Sequence, residues 1–214
     1  KYIVAHLDVG YLWIHLRMTG RLYFSQHVQG EDRWTRAAVG LDSRYLIFSD
    51  ARKFGRIGFC LDLDWLEEKL GPEPLNLDPG VFGRILQRPT AIKALLLDQA
   101  RIAGVGNIYA DESLFAAGIH PLEPANKIKP AKALDLLTHL QAILQRAIQH
   151  EGATIGWYRK PDGEKGSSQD HFQVYGKTNQ PCPRCGAPIQ RILVTQRSTH
   201  FCAKCQKKSR IAVS

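Results

Sequence analysis

Three features of the sequence predict an α+β fold. The opening stretch reads as short alternating strands, the middle carries helical periodicity, and the end is a hairpin clipped by paired cysteines. Together they give an N-terminal antiparallel β-sandwich over 1–70, a helical domain over 71–170 and a small cysteine-clipped hairpin domain over 171–214. A chain of 214 residues that is 44% hydrophobic can bury a sizeable core and hold more than one domain.

The strands come first. "KYIVAHLD", "YLWIHLRM", "RLYFSQ", "WTRAAVGL", "RYLIFSD" and "RIGFCL" are rich in aromatic and β-branched residues and separated by the turn signals "DVG", "TG" and "LDS". Six strands at this spacing predict antiparallel hairpins closed into a sandwich or barrel. In the second, Leu12, Ile14, Leu16 and Met18 alternate with Tyr11, Trp13, His15 and Arg17. Cys60, in "RIGFCLDL", reads as a small buried strand residue. "GPEPLNLDPG" is a connector, after which Ile92, Leu95 and Leu96 form one apolar stripe behind Pro89 and Thr90. A tight "AGVG" turn follows, then "NIYADESLFAAG", with Gly118 as C-terminal cap. A longer helix is predicted from about Pro130 to His150, with Leu134, Leu137, Leu140, Leu144 and Ile148 on one face. Residues 151–170 are turn-rich and polar, hence a loop.

Cys182-x2-Cys185, sixteen residues, then Cys202-x2-Cys205 is the spacing of a four-thiolate zinc ribbon, with "IQRILV" and "RSTHF" as the two strands between the pairs. Four protein ligands leave no position for water, so one structural zinc ion is expected, supplying on the order of 10 kcal/mol to a hairpin too small to hold itself. A disulfide framework does not fit two tight pairs plus the lone Cys60, and a reducing compartment does.

Charge is uneven. Of 29 Lys and Arg and 20 Asp and Glu, the segment from His171 to Ser214 holds eight of the bases and none of the acids, which leaves +1 of the net +9 for everything before it. So basic an end points to a polyanion, and the lack of a basic amphipathic helix favours nucleic acid over membrane. The hairpin then reads as a mount that turns Arg191, Arg197 and Lys204 toward phosphates. No signal peptide and no apolar run of membrane-spanning length is present. Lys1 is not an initiator Met, and "KYIVAHLD" is already strand-like, so further sequence is expected ahead of it.

Four blocks carry a resemblance. "LLLDQARIAGVGNIYADESLFAAGIHP" is similar to the helix-two-turn-helix of the formamidopyrimidine-DNA glycosylases, bacterial repair enzymes for oxidised purines. "HLRMTGRL", "DARKFGRI" and "FQVYGKTNQPCPRCG" match other blocks of that family in the expected order. The resemblance covers essentially the whole chain. It implies removal of 8-oxoguanine and formamidopyrimidines from double-stranded DNA, lyase activity at abasic sites by β,δ-elimination through a Schiff base, one structural zinc, a monomer, and a bacterial cytoplasmic location with the nucleoid.

It also implies residue roles. Asn107, after Gly104 and Gly106, contacts the DNA backbone; by its own chemistry it is equally an ordinary N-cap, and both readings make the helix start an anion site. His15 becomes a phosphate ligand. Met18, the chain's one methionine, joins Arg52 and Phe54 as a wedge filling the gap left by an extruded base, with Arg52 addressing the opposite cytosine. Arg88 matches a DNA-contacting position, Arg197 the finger arginine at the phosphates flanking the lesion, and Lys1 a lysine of lesion processing. The loop at 151–170 is similar to one that covers a flipped purine. Two departures stand out. The family's N-terminal proline nucleophile and its glutamate cannot be located in this sequence, and Trp34 sits where many relatives have a DNA-contacting histidine. An endonuclease VIII-like enzyme for oxidised pyrimidines and a non-catalytic damaged-DNA binding module remain the alternatives.

Overall fold

A computed structural model describes residues 1–28, 32–155 and 160–209. The chain divides into two compact units, Lys1–Leu66 with Ala147–Asp170, and Glu67–Arg146 with His171–Ser214. Helices and finger therefore share one unit.

The first unit contains six antiparallel strands: β1 (Ile3–His6), β2 (Tyr11–His15), β3 (Gly20–Ser25), β4 (Thr35–Leu41), β5 (Arg44–Asp50) and β6 (Arg56–Cys60). They form two three-stranded sheets, ordered β1-β2-β6 and β3-β5-β4, the sandwich expected from the alternation. Ile14 of one sheet and Ile47 and Phe48 of the other are its buried apolar residues. A short helix α1 (Asp64–Glu67) follows, and its Trp65 packs edge-on against Trp13 and Tyr2, at 5.3 and 5.7 Å between ring centres. Strand β2 ends at His15. Arg17 is left-handed, so the alternation expected to run on to Met18 breaks at Leu16, and Met18 stands on a turn, 63% exposed. Cys60 is half-buried rather than buried, with its Sγ 4.0 Å from the Tyr11 carbonyl.

The second unit is built on helices α2 (Pro79–Ile85), α3 (Ile92–Leu97), α4 (Asn107–Ala116) and the greater part of α5 (Pro130–Gln149), with the hairpin strands β7 (Gln190–Val194) and β8 (Arg197–Phe201). Helix α2 begins in the last two residues of the expected connector and runs on past it. Its signal is local: the Asp78 side chain accepts from the Val81 N–H and Pro79 occupies the first turn. Phe82, Leu86, Ile92, Leu96, Leu114, Leu136, Leu137 and Leu140 form the core. On α5 the buried stripe runs Ala133, Leu136, Leu137, Leu140 and Ala147. Leu134 and Ile148, expected on that face, are 51% and 57% exposed, because at about 100° of helix per residue both fall to one side of the buried stripe. Gly118 is left-handed, and Ile119 N–H closes on Leu114 O at 2.9 Å, the expected C-terminal cap of α4. Among the described residues no helix is long and apolar enough to cross a membrane.

Candidate nucleic-acid interface

Cys182, Cys185, Cys202 and Cys205 bring their four Sγ atoms within 4.8 Å of one another. The N–H of Gly186 bonds the Cys182 carbonyl and that of Gln206 the Cys202 carbonyl, so each pair sits on a tight turn. Burial pushes the Cys205 thiol up to about 12, whereas hydrogen bonding, led by the Ala187 N–H, draws Cys185 down to about 7. Four thiols so close cannot all ionise unaided. A divalent cation removes that conflict, and a set of four sulfurs suits one structural zinc. The hairpin itself turns on Thr195 and Gln196, both left-handed, as a two-residue type I′ turn requires.

Helix α4 is the finger's mount. Glu112 accepts backbone N–H bonds from Gln173, Val174 and Tyr175 at 2.8, 3.0 and 2.8 Å. At the other end of the helix Arg184 donates to the Phe115 and Ala116 carbonyls and lies over the Phe115 ring. One residue before Glu112, Asp111 pairs with Lys93 of α3, both side chains fully buried, and takes the His200 N–H at 2.9 Å. Lys93 also donates to the Asn107 carbonyl at 2.8 Å. Every charge in this cluster has a hydrogen-bonded partner, which is the condition for burying it at all.

The start of α4 is the chemically open end. Gly106 is its N-cap and provides no side-chain cap, so the first-turn N–H groups and the positive end of the helix dipole can meet an anion. Asn107 is therefore not the N-cap. Its side-chain nitrogen reaches across 91 residues of sequence to the Ser198 carbonyl, at 2.8 Å. That bond ties the helix start to the residue beside Arg197, which is exposed at the head of β8. Asn107 and Arg197 are thus brought together. Arg191 bonds the Ser198 hydroxyl through two nitrogens, at 3.0 and 2.7 Å, and extends the basic edge.

In the other unit two turns carry exposed apolar and basic side chains. The β2–β3 turn presents Met18, and the β5–β6 turn presents Arg52, its guanidinium 5.0 Å from the Phe54 ring centre, with Phe54 57% exposed. His15 is half-buried, its Nδ1 accepting from the Arg17 N–H and its ring edge-on to Tyr2. Trp34 lies near these turns through its backbone, whose carbonyl accepts from the Asp50 N–H at 3.0 Å. Lys1 is exposed just ahead of β1. Arg88 is exposed in the second unit, in the segment between α2 and α3. Of the loop at 151–170, residues 156–159 lie outside the described ones; Ala153 bridges Ser167 at its base.

Family models match three stretches: the formamidopyrimidine-DNA glycosylase N-terminal domain over 1–57, the helix-two-turn-helix domain of the same enzymes over 70–158, and a zinc finger found in these glycosylases and in IleRS over 179–208. A formamidopyrimidine-DNA glycosylase of Herpetosiphon aurantiacus is 44% identical over 213 residues, covering 96% of this chain and 78% of the relative. One from Chloroflexus aurantiacus is 45% identical, with 96% and 77% covered. The chain belongs to the formamidopyrimidine-DNA glycosylase family. Among solved glycosylases, a Lactococcus lactis Fpg bound to DNA with an abasic site superposes at a TM-score of 0.90, with 36% identity over 97% of this chain and 79% of that one. The Thermus thermophilus MutM (Fpg) protein gives 0.89, with 40% identity over 98% and 81%.

Sequence reasoning missed the supports of this glycosylase's interface. Lys93, Asp111, Glu112 and Asp50 are buried polar residues whose partners lie 18 to 89 residues away or on backbone N–H groups, as for Lys93 with Asp111 and Asp111 with His200. An acidic pair "DE" inside an otherwise apolar helix segment was the one available signal.

Proposed function

We infer that this chain is a base-excision-repair glycosylase that removes oxidised purines from duplex DNA and cleaves the resulting abasic site. The observation that carries the reading is the Asn107–Ser198 bond, which sets an uncapped helix N-terminus beside an exposed arginine on a zinc-held hairpin. Two independent anion-binding devices at one place suit a phosphate of the DNA backbone. The Lactococcus lactis relatives were solved with abasic-site and Fapy-dG DNA, which is the substrate class proposed for this chain.

The roles divide by chemistry. Asn107, Arg197 and His15 hold phosphates, and Arg88 adds a backbone contact. Met18 and Phe54 fill the space vacated by the extruded base, offsetting part of a stacking cost of a few kcal/mol. Lys1 acts in lesion processing. The functional segments are the sandwich over 1–70, the helical region with its loop over 71–170, and the finger over 171–214. The protein works as a monomer in the bacterial cytoplasm, at the nucleoid.

Arg52 reads the opposite base. Its guanidinium offers two donors to the acceptor edge of an orphaned cytosine, whereas adenine presents a donor there; a bidentate base contact of this kind is worth roughly 1–3 kcal/mol. Binding of a tetrahydrofuran abasic analogue opposite cytosine or adenine tests the assignment. Arg52→Ala should bring the two affinities together, and Phe54→Ala should weaken both in similar proportion. Full cytosine preference in Arg52→Ala would contradict Arg52 as reader.

A further inference from the structure

Asp50 is 1% exposed, yet it belongs to no salt bridge among the described residues. Its carboxylate is instead a junction of two turns. Oδ1 accepts from the Thr19 hydroxyl, on the β2–β3 turn beside Met18, and from the Arg52 N–H at 3.1 Å, on the β5–β6 turn. Oδ2 accepts from the Gly55 N–H at 2.7 Å, closing the other end of that second turn. Its own backbone is fixed from outside, since its carbonyl takes Arg36 Nε at 2.9 Å and its N–H meets the Trp34 carbonyl. Burial alone would raise the pKa of Asp50, but the bonds from Thr19, Gly55 and Arg52 outweigh it and hold the group below the usual carboxylate range. The anion is therefore the resident form, and it accepts on both oxygens.

The turns need such an anchor. Arg17 and Lys53, one in each turn, are left-handed without being glycine, a conformation that persists only where surrounding bonds enforce it. A Cβ at Gly55 would meet Phe48 Cζ at 2.6 Å, so any larger residue there must displace the buried Phe48 ring. Flanking residues are thus locked while Met18, Arg52 and Phe54 stay exposed. Each exposed side chain lies within two residues of a group bonded to Asp50.

We propose that Asp50 is the positioning residue of the lesion-side wedge, a single buried carboxylate that fixes Met18, Arg52 and Phe54 in register by holding both of their turns. This rests on the reading of Arg52 as the reader of the opposite base. Thr19 is the second half of the device, among the described residues the one side-chain donor that links the β2–β3 turn to the junction.

The test is equilibrium binding of the full zinc-loaded chain to a duplex with a tetrahydrofuran abasic analogue opposite cytosine or opposite adenine. The wild-type preference for cytosine is expected at roughly ten- to a hundredfold. Asp50→Asn sets an amide N–H against either the Gly55 or the Arg52 N–H, and Thr19→Val removes the hydroxyl while keeping its shape. Both should cut the preference most of the way to unity, with the salt dependence of binding unchanged. Thr19→Ser keeps the donor and should retain the preference, which a loss of general stability would not discriminate. If Arg52→Ala abolishes the preference while Asp50→Asn and Thr19→Val keep it, the positioning role is overturned and the reader role stands. If Arg52→Ala itself keeps the preference, both readings fall. Should Asp50→Asn not fold, the Thr19 pair alone decides the outcome.

Discussion

Removing the metal should abolish lesion-DNA binding while leaving the sandwich folded. The finger's own apolar cluster is Phe115, Val174, Cys182, Ile189 and Cys202, two of them ligands and one borrowed from α4. A core of that size cannot order a hairpin with two left-handed turn residues, so the metal must supply on the order of 10 kcal/mol. Without it β8 loses its register, and Ser198 no longer receives the Asn107 side chain. Arg197 then has no fixed position. Chelation, or Cys202→Ser, should lower affinity for an abasic-analogue duplex by at least about a hundredfold, since several phosphate contacts are lost at once. The near-ultraviolet circular dichroism of the packed pair Trp13 and Trp65 should persist, because their environment is the other unit. Full binding by protein verified as zinc-free would show that the metal does not hold the DNA-binding edge.

The buried pair should be the most sensitive point for stability. Lys93→Met leaves the Asp111 carboxylate in a site with no exposure and only the His200 groups as partners. An uncompensated buried charge costs about 3–5 kcal/mol. Thermal unfolding of Lys93→Met should therefore fall by roughly ten degrees or more, at a few degrees per kcal/mol for a unit of this size. The double variant Lys93→Met with Asp111→Leu should recover part of the loss and no more. It removes both charges but orphans the His200 N–H, a deficit of about 1–3 kcal/mol. Recovery to wild-type stability would mean that the His200 bond contributes nothing.

What could be read in the sequence follows from the range of the interactions. The six strands were legible because alternation and turn residues are local signals, and the finger because metal-ligand spacing fixes its geometry within one segment. Helix α2 was missed although Asp78 and Pro79 mark its start, since "LNLDPG" also satisfies the grammar of a turn. Asn107 was legible as a helix-start residue, but not as the tie to Ser198, which depends on a bond spanning 91 residues. Asp50 gave no signal at all. Its donors on the β5–β6 turn are backbone N–H groups, which carry no residue-type signal, and its side-chain donor, Thr19, is 31 residues away in the turn before β3. Leu134 and Ile148 depart for the opposite reason: an apolar row need not be a buried one, and single exposed apolar residues are ordinary on a surface.

Recognition of a lesion site in duplex DNA requires more than attraction to the polyanion. Competition between an abasic-analogue duplex and the same duplex undamaged, followed across a range of salt, tests it most directly. Phosphate contacts alone would bind both equally and fall steeply with salt, whereas the wedge acts only where a base has left the stack. A preference of at least about tenfold for the abasic duplex opposite cytosine is expected, persisting as salt rises and affinity for both falls. Equal affinity for damaged and undamaged duplex at every salt concentration would contradict it.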